Sequence, residues 1–192
     1  MDPHHLLSDW LGTMFPGGPP SPATIPPFLL PDHEGWLVCS GELQAQGPYV
    51  LTFFHGSWCP GCVRKLKLLG AGLDRIHELG ADVVACSPET HGFPRRLKAE
   101  NGLQFRVLSD VDCALSVDLG LAFAVPDQIK RRLAELEIDL GVRHGEGRWM
   151  LPIPVTLVVD PEGRVDRTFA DAEHTIDVEG ILASLANLQH CV

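Results

Sequence analysis

The stretch Val50-Leu51-Thr52-Phe53-Phe54-His55-Gly56-Ser57-Trp58-Cys59-Pro60-Gly61-Cys62-Val63 decides the fold of this chain. Its first part, with Pro48 and Tyr49 before it, is apolar on consecutive residues, the pattern of an interior strand in a sheet covered on both faces. Its last part opens a helix expected from about Pro60 to Leu79. Leu66, Leu69, Leu73 and Ile76 step by three or four along one face of that helix, and Gly80 stops it. Two cysteines, Cys59 and Cys62, therefore stand where a buried strand passes into a helix. Sites of open α/β sheets gather at such junctions.

Outward from this stretch the pattern repeats. Asp82 to Cys86, Phe105 to Leu108 and Val155 to Val159 read as further apolar strands. Asp160-Pro161-Glu162-Gly163 has proline second and glycine fourth, a turn signature, so Arg164 to Ala170 reads as a return strand. Helices are expected over Pro88 to Asn101, Asp112 to Leu119, Pro126 to Ile138 and Asp177 to Gln189. Gly141 to Trp149 reads as a glycine-rich, charged loop. Upstream, Trp36 to Cys39 reads as a short strand. Residues 1–31 are rich in proline and glycine and read as an extended arm, with one short helix around Leu6 to Leu11. The chain thus divides into an arm, 1–31, and one domain, 32–192. The order of elements implies an α/β fold, a mixed central sheet covered by helices on both faces.

Composition narrows the function. Fifteen basic residues against twenty-five acidic ones leave a net charge of −10, which argues against nucleic acid or anionic lipid as a partner. No apolar run approaches the ~20 residues that span a bilayer. The N-terminus lacks a basic region followed by an apolar stretch, so no secretory signal is visible and a cytoplasmic location is expected. In a reducing compartment, scattered cysteines are thiols unless they do chemistry. Of six cysteines only Cys59 and Cys62 form a close pair. Cys86 reads as a small buried hydrophobe.

A Cys-x-x-Cys pair at a helix start suits reversible disulfide exchange. The unsatisfied N–H groups of the first turn face the first sulfur and favour its anion. Cys62, one turn on, is placed to attack a mixed disulfide on Cys59 and release the product. Trp58 would shield the pair and offer an apolar surface. His55 reads either as a proton shuttle for the thiols or as a solvated loop histidine. The pair is also half of a zinc site, and His55 could join it, but a structural site needs four ligands and the fourth would come from far away. No metal or cofactor is expected. Lys65 and Arg64 read as charges facing water, the alternative being positive charge supplied to the site. His144, Arg143 and Arg148 read as solvated loop residues, and Cys191 as incidental or as a second resolving thiol. Pro154 either starts its strand in trans or precedes it in cis; in cis, opposite Cys59, it would expose backbone to an extended substrate.

Together these segments resemble the peroxiredoxin-like branch of the alkyl hydroperoxide reductase/thiol-specific antioxidant superfamily. Pro27 to Gly35 resembles the family's Phe-x-Leu-Pro-Asp stretch. Val50 to Cys62 resembles its active-site strand and loop, and Leu151 to Gly163 the strand led by a cis proline and followed by an Asp-x-x-Gly turn. Asp118 to Gly141 resembles a helical insertion of this branch. The match covers roughly residues 25–190. It implies a thioredoxin-like fold and reduction of disulfides or hydroperoxides. It makes Cys59 the attacking thiol, Cys62 the resolving thiol, Pro154 the cis proline, and an external thiol of thioredoxin or glutathione type the reductant. A homodimer is expected only because dimers are the commonest assembly. The alternative is a redox sensor or metal-binding module without turnover. Two departures stand out. With Cys62 placed as the peroxide-attacking cysteine of the pattern Pro-x-x-x-Thr/Ser-x-x-Cys, Cys59 replaces the Thr and His55 the Pro. Thioredoxins carry a buried Asp six residues before the first cysteine, and Phe53 stands there instead.

Overall fold

A computed structural model of the chain describes residues 3–145, 149–170 and 175–189. Its centre is a five-stranded sheet. Tyr49–Phe53 (β3) lies in the middle, buried at every residue. Asp82–Ser87 (β4) and Arg106–Ser109 (β5) run parallel to it on one side. On the other side Val155–Val159 (β8) pairs antiparallel with β3, and Val165–Ala170 (β9) pairs antiparallel with β8. Tyr49 sits opposite both Asp82 and Val159, so one register sets both pairings. β8 is also buried at every residue. Two central strands without an exposed face require cover on both sides, which is why they are apolar but for Thr52 and Thr156, whose hydroxyls bond each other at 2.9 Å across the strands. This is the mixed sheet flanked by helices that the order of elements implies.

The long helix expected after Cys59 is two helices, Pro60–Ala71 (α3) and Leu73–Glu78 (α4). They part at Gly72, where a Cβ would stand 2.7 Å from Cγ1 of Val178, the first residue of the C-terminal helix Val178–Gln189 (α9). Close passage of α9 thus breaks the helix. Between β4 and β5 lies Phe93–Asn101 (α5), starting later than the sequence suggests because Gly92 before it is left-handed, with φ 82°.

The short helix expected around Leu6 to Leu11 is present and longer, Pro3–Met14 (α1). Leu7 of α1 is fully buried, and the Trp10 ring lies 4.7 Å from that of Phe123. Further on, Leu29–Pro31 (β1) pairs with Leu37–Cys39 (β2). Ile25 and Phe28 are buried, and Thr24 bridges to Arg164, the residue before β9. The residues before position 32 therefore contribute to the same core and screen a sheet edge.

The sequence reading also has no counterpart for the helix Ser40–Gln46 (α2) or for the strands Ala122–Ala124 (β6) and Met150–Pro152 (β7), which pair antiparallel. Ala114–Asp118 (α6) and Asp127–Glu135 (α7) fall where helices are expected. The expected loop from Gly141 instead carries Leu140–His144 (α8), capped by Asp139, whose carboxylate accepts the N–H groups of Gly141 and Val142.

Pro154 is a correction. No peptide bond is cis among the described residues. Pro152 stays in register with Ala122, and Ile153 donates its N–H to the Leu121 carbonyl at 2.6 Å. The chain passes extended from β7 into β8, leaving no tight turn for a cis bond to make.

Candidate active site

Cys59 is the N-cap of α3, and its Sγ accepts the N–H of Cys62 at 3.3 Å. Pro60 at the first helical position has no N–H to leave unsatisfied. The sulfur thus receives one of the first-turn donors, as the sequence implies. Both cysteines are buried, and all five described cysteines are thiols. Burial pushes the Cys62 thiol well above its ordinary range; the neighbouring Cys59 adds to this, and His55 opposes it.

His55 is not a solvated loop residue. It is 1% exposed, and its Nδ1 lies 3.7 Å from Cys62 Sγ. Its ring stacks on Trp58 at 5.9 Å and meets the edge of Phe123 at 6.5 Å. Phe54 and Gly56 flank it, and Phe54 closes β3 by donating its N–H to the Cys86 carbonyl. His55 Nδ1 is thus in contact with Cys62. His55 Nε2 and Trp58 Nε1 are buried without hydrogen-bond partners among the described residues. One donor atom from each of His55, Cys59 and Cys62 falls within 4.8 Å of the others.

A second group of residues fixes the loop before Cys59. Glu89, fully buried just past β4, accepts the Ser57 N–H at 2.6 Å and the Ser57 hydroxyl at 2.9 Å. Arg143 of α8 donates to the same carboxylate at 2.9 Å and to Ser57 Oγ at 3.2 Å. Burial raises the Glu89 carboxyl above its ordinary range, and the bonds from Ser57 and Arg143 counter it. Gly56 beside Ser57 has φ 147°, and a Cβ there would meet Trp58 Nε1 at 2.6 Å and Glu89 Cδ at 2.8 Å. Only glycine fits that backbone at that distance.

The residues singled out by sequence thus divide. Cys59, Cys62, His55 and Trp58 come together. Pro154 is trans. Cys86 is a buried thiol. Lys65, expected on the wet face of its helix, is buried, while Arg64 is exposed. His144 is buried, and Arg143 is paired with Glu89. Arg148 and Cys191 lie outside the described residues. Glu89 and Ser57 escape the sequence reading; no motif marks a partnership formed across 32 residues of chain.

The model of the AhpC/TSA family matches residues 23–168. The chain is similar to a chloroplastic peroxiredoxin Q of Sedum lineare, 28% identical over 88 residues, which are 46% of this chain and 47% of that protein. It is also similar to peroxiredoxin Bcp of Escherichia coli K12, 30% identical over 97 residues, covering 50% of this chain and 61% of that one. The matches span about half the length of these curated relatives. Among solved structures, peroxidoxin BcpB of Mycobacterium tuberculosis superposes with a TM-score of 0.69 at 20% identity, over 87% of this chain and 96% of that one. That likeness establishes the thioredoxin-like fold of the peroxiredoxins.

Proposed function

Since this chain belongs to the AhpC/TSA family, we propose that it is a thiol-dependent oxidoreductase that reduces hydroperoxides through Cys59 and Cys62. The observation that carries the reading is the Cys59 sulfur, capping α3 and accepting the Cys62 N–H at 3.3 Å, with the second thiol within 4.8 Å. Peroxiredoxin relatives support peroxide as the oxidant.

The Cys59 thiolate attacks one peroxide oxygen. The O–O bond breaks, the alcohol leaves with a proton, and Cys59 becomes a sulfenic acid. The Cys62 sulfur then displaces water from it, giving the Cys59–Cys62 disulfide. Burial keeps Cys62 protonated until that step, and His55 Nδ1 is placed to take its proton. An external dithiol returns two electrons and two protons. Trp58 forms the apolar wall of the site, stacked on His55.

A second assignment exchanges the sulfurs. It is favoured by the 3.7 Å approach of His55 Nδ1 to Cys62, which makes Cys62 the imidazole-assisted thiol. Single-cysteine variants separate the two. With an organic hydroperoxide, Cys62→Ser is expected to accumulate a dimedone-reactive sulfenic acid on Cys59, and Cys59→Ser to abolish turnover. Sulfenic acid on Cys62 in Cys59→Ser, with none on Cys59 in Cys62→Ser, reverses the roles. Retained turnover without either thiol rejects the function.

A further inference from the structure

We propose that the reduced site also binds monovalent copper, three-coordinate, through Cys59 Sγ, Cys62 Sγ and a ring nitrogen of His55. The three donors are buried and already gathered within 4.8 Å of one another. With metal–sulfur bonds of about 2.3 Å and metal–nitrogen bonds of about 2.0 Å, a planar three-coordinate ion separates sulfur from nitrogen by about 3.7 Å and sulfur from sulfur by about 4.0 Å. The Cys62 Sγ–His55 Nδ1 separation is 3.7 Å. One edge of the triangle is therefore preformed, and the others close by small side-chain rotations at a fixed helix start.

The donor set selects the ion. Two thiolates and one imidazole are soft ligands, suited to copper(I) and zinc. Zinc on a Cys₂His set takes water as its fourth ligand, and these three residues are buried, His55 at 1% exposure. No further His, Cys, Asp or Glu joins this cluster among the described residues. Monovalent copper, a closed-shell soft ion, is satisfied with three. The His55 ring is held by Trp58 and Phe123 rather than by a bond to its Nε2, so its orientation does not depend on the ion. The N-terminus of α3 offsets the negative charge that two thiolates leave on a monovalent ion. Oxidation of the pair removes both sulfur ligands, so binding and disulfide formation exclude each other.

The test uses the full chain, reduced and desalted without oxygen, titrated against the copper(I) complex of bicinchoninate. One equivalent of copper is expected to leave the coloured complex. Protein first oxidised with diamide, whose N=N bond takes the two electrons and two protons of the pair, is expected to withdraw none. Cys59→Ser and Cys62→Ser are expected to lose about 100-fold in affinity or more, and His55→Gln about 10-fold. Zinc offered in the same way is expected to pass to a moderate chelator. No uptake by the reduced chain overturns the proposal. So does equal uptake by the diamide-treated or Cys59→Ser protein, which would trace the copper to other thiols, and so does zinc held as firmly as copper. If a variant fails to fold, the diamide arm decides on the natural sequence. The proposal rests on the same thiols as the proposed reaction but not on turnover. Copper uptake by a chain inert to peroxide defeats only the redox reading; turnover without uptake defeats only this one.

Discussion

Replacing Arg143 by methionine tests whether the Glu89 network holds the active-site loop by charge. Glu89 is fully buried and Arg143 is 23% exposed, with 2.9 Å between them. At that distance and an effective dielectric of about 20, unit charges attract by about 6 kcal/mol. Desolvation of both ions and the partial exposure of Arg143 cancel most of this, leaving a net loss of about 2 kcal/mol in the variant. For a chain of this size that lowers Tm by about 4–8 °C. The sign with pH follows from the carboxyl. Burial holds it above the ordinary value of 4.5 even with Arg143 present. A raised acid contributes stability that is complete below 4.5 and is lost as pH rises through its folded value. Without Arg143 that folded value climbs further, so the variant loses more over the same rise. The gap between natural and variant chains is therefore small at pH 4 and opens toward pH 8. What remains at pH 4 is about 1 kcal/mol, from the lost contact of the guanidinium over the Phe93 ring, 4.5 Å from its centroid, and the lost hydrogen bond to Ser57 Oγ. Thermal melts followed by circular dichroism at several pH values read the gap. On a Glu89→Gln background, the further change Arg143→Met should open a gap that does not vary with pH. A gap equal at pH 4 and pH 8, or a Tm unchanged by Arg143→Met at pH 8, refutes the electrostatic account.

Two further substitutions probe the site and the core, alongside the cysteine variants and the copper titration. Gly56→Ala places a methyl 2.6 Å from Trp58 Nε1 on a backbone with φ 147°; it is expected to cost about 2–3 kcal/mol in urea unfolding and to change the near-ultraviolet dichroism of tryptophan. Unchanged stability would mean that Trp58 does not lie against this loop. Tyr49→Phe removes a buried hydroxyl that has no hydrogen-bond partner among the described residues. It is expected to leave stability unchanged or raise it by about 1 kcal/mol, and a loss larger than that in the same assay would reveal a partner for the oxygen.

The parts of this fold that can be read in the sequence are those whose burial is complete or whose turns are explicit. β3, β4 and β8 appear as unbroken apolar runs because both faces are covered, and β9 is found through the Asp160–Gly163 turn. β6 and β7 are three residues each, and Pro152 in β7 is a residue that argues against a strand. α2 is capped by Cys39, whose Sγ accepts the Glu42 N–H, rather than by the usual Ser, Thr, Asp or Asn. At seven residues it is too short to show a period. The junction of strand and helix shows where Cys59 stands because an N-cap is a local property. The burial of His55 is not local: Phe123, against its ring, lies 68 residues on. The Arg143–Glu89 pair spans 54 residues and looks in sequence like two ordinary charges.

Burial also bears on what the thiols meet. Cys59 is 0% exposed and Cys62 1%, under Trp58, itself 8% exposed. A protein disulfide must bring its sulfur in line with the attacking one, along with the backbone that carries it. A hydroperoxide needs a path only as wide as its O–O end. In the proposed reaction the same cover that favours a small oxidant works against a protein reductant, which has to reach a Cys59–Cys62 disulfide after each turnover. The proposed oxidation fits within the packed site, whereas the proposed reduction by a protein requires Trp58 and the loop from Gly56 to give way. The bonds from Ser57 to Glu89 and from Glu89 to Arg143 resist that movement. Under the proposed reaction they link the stability of the loop to how quickly the pair is returned to its thiol form.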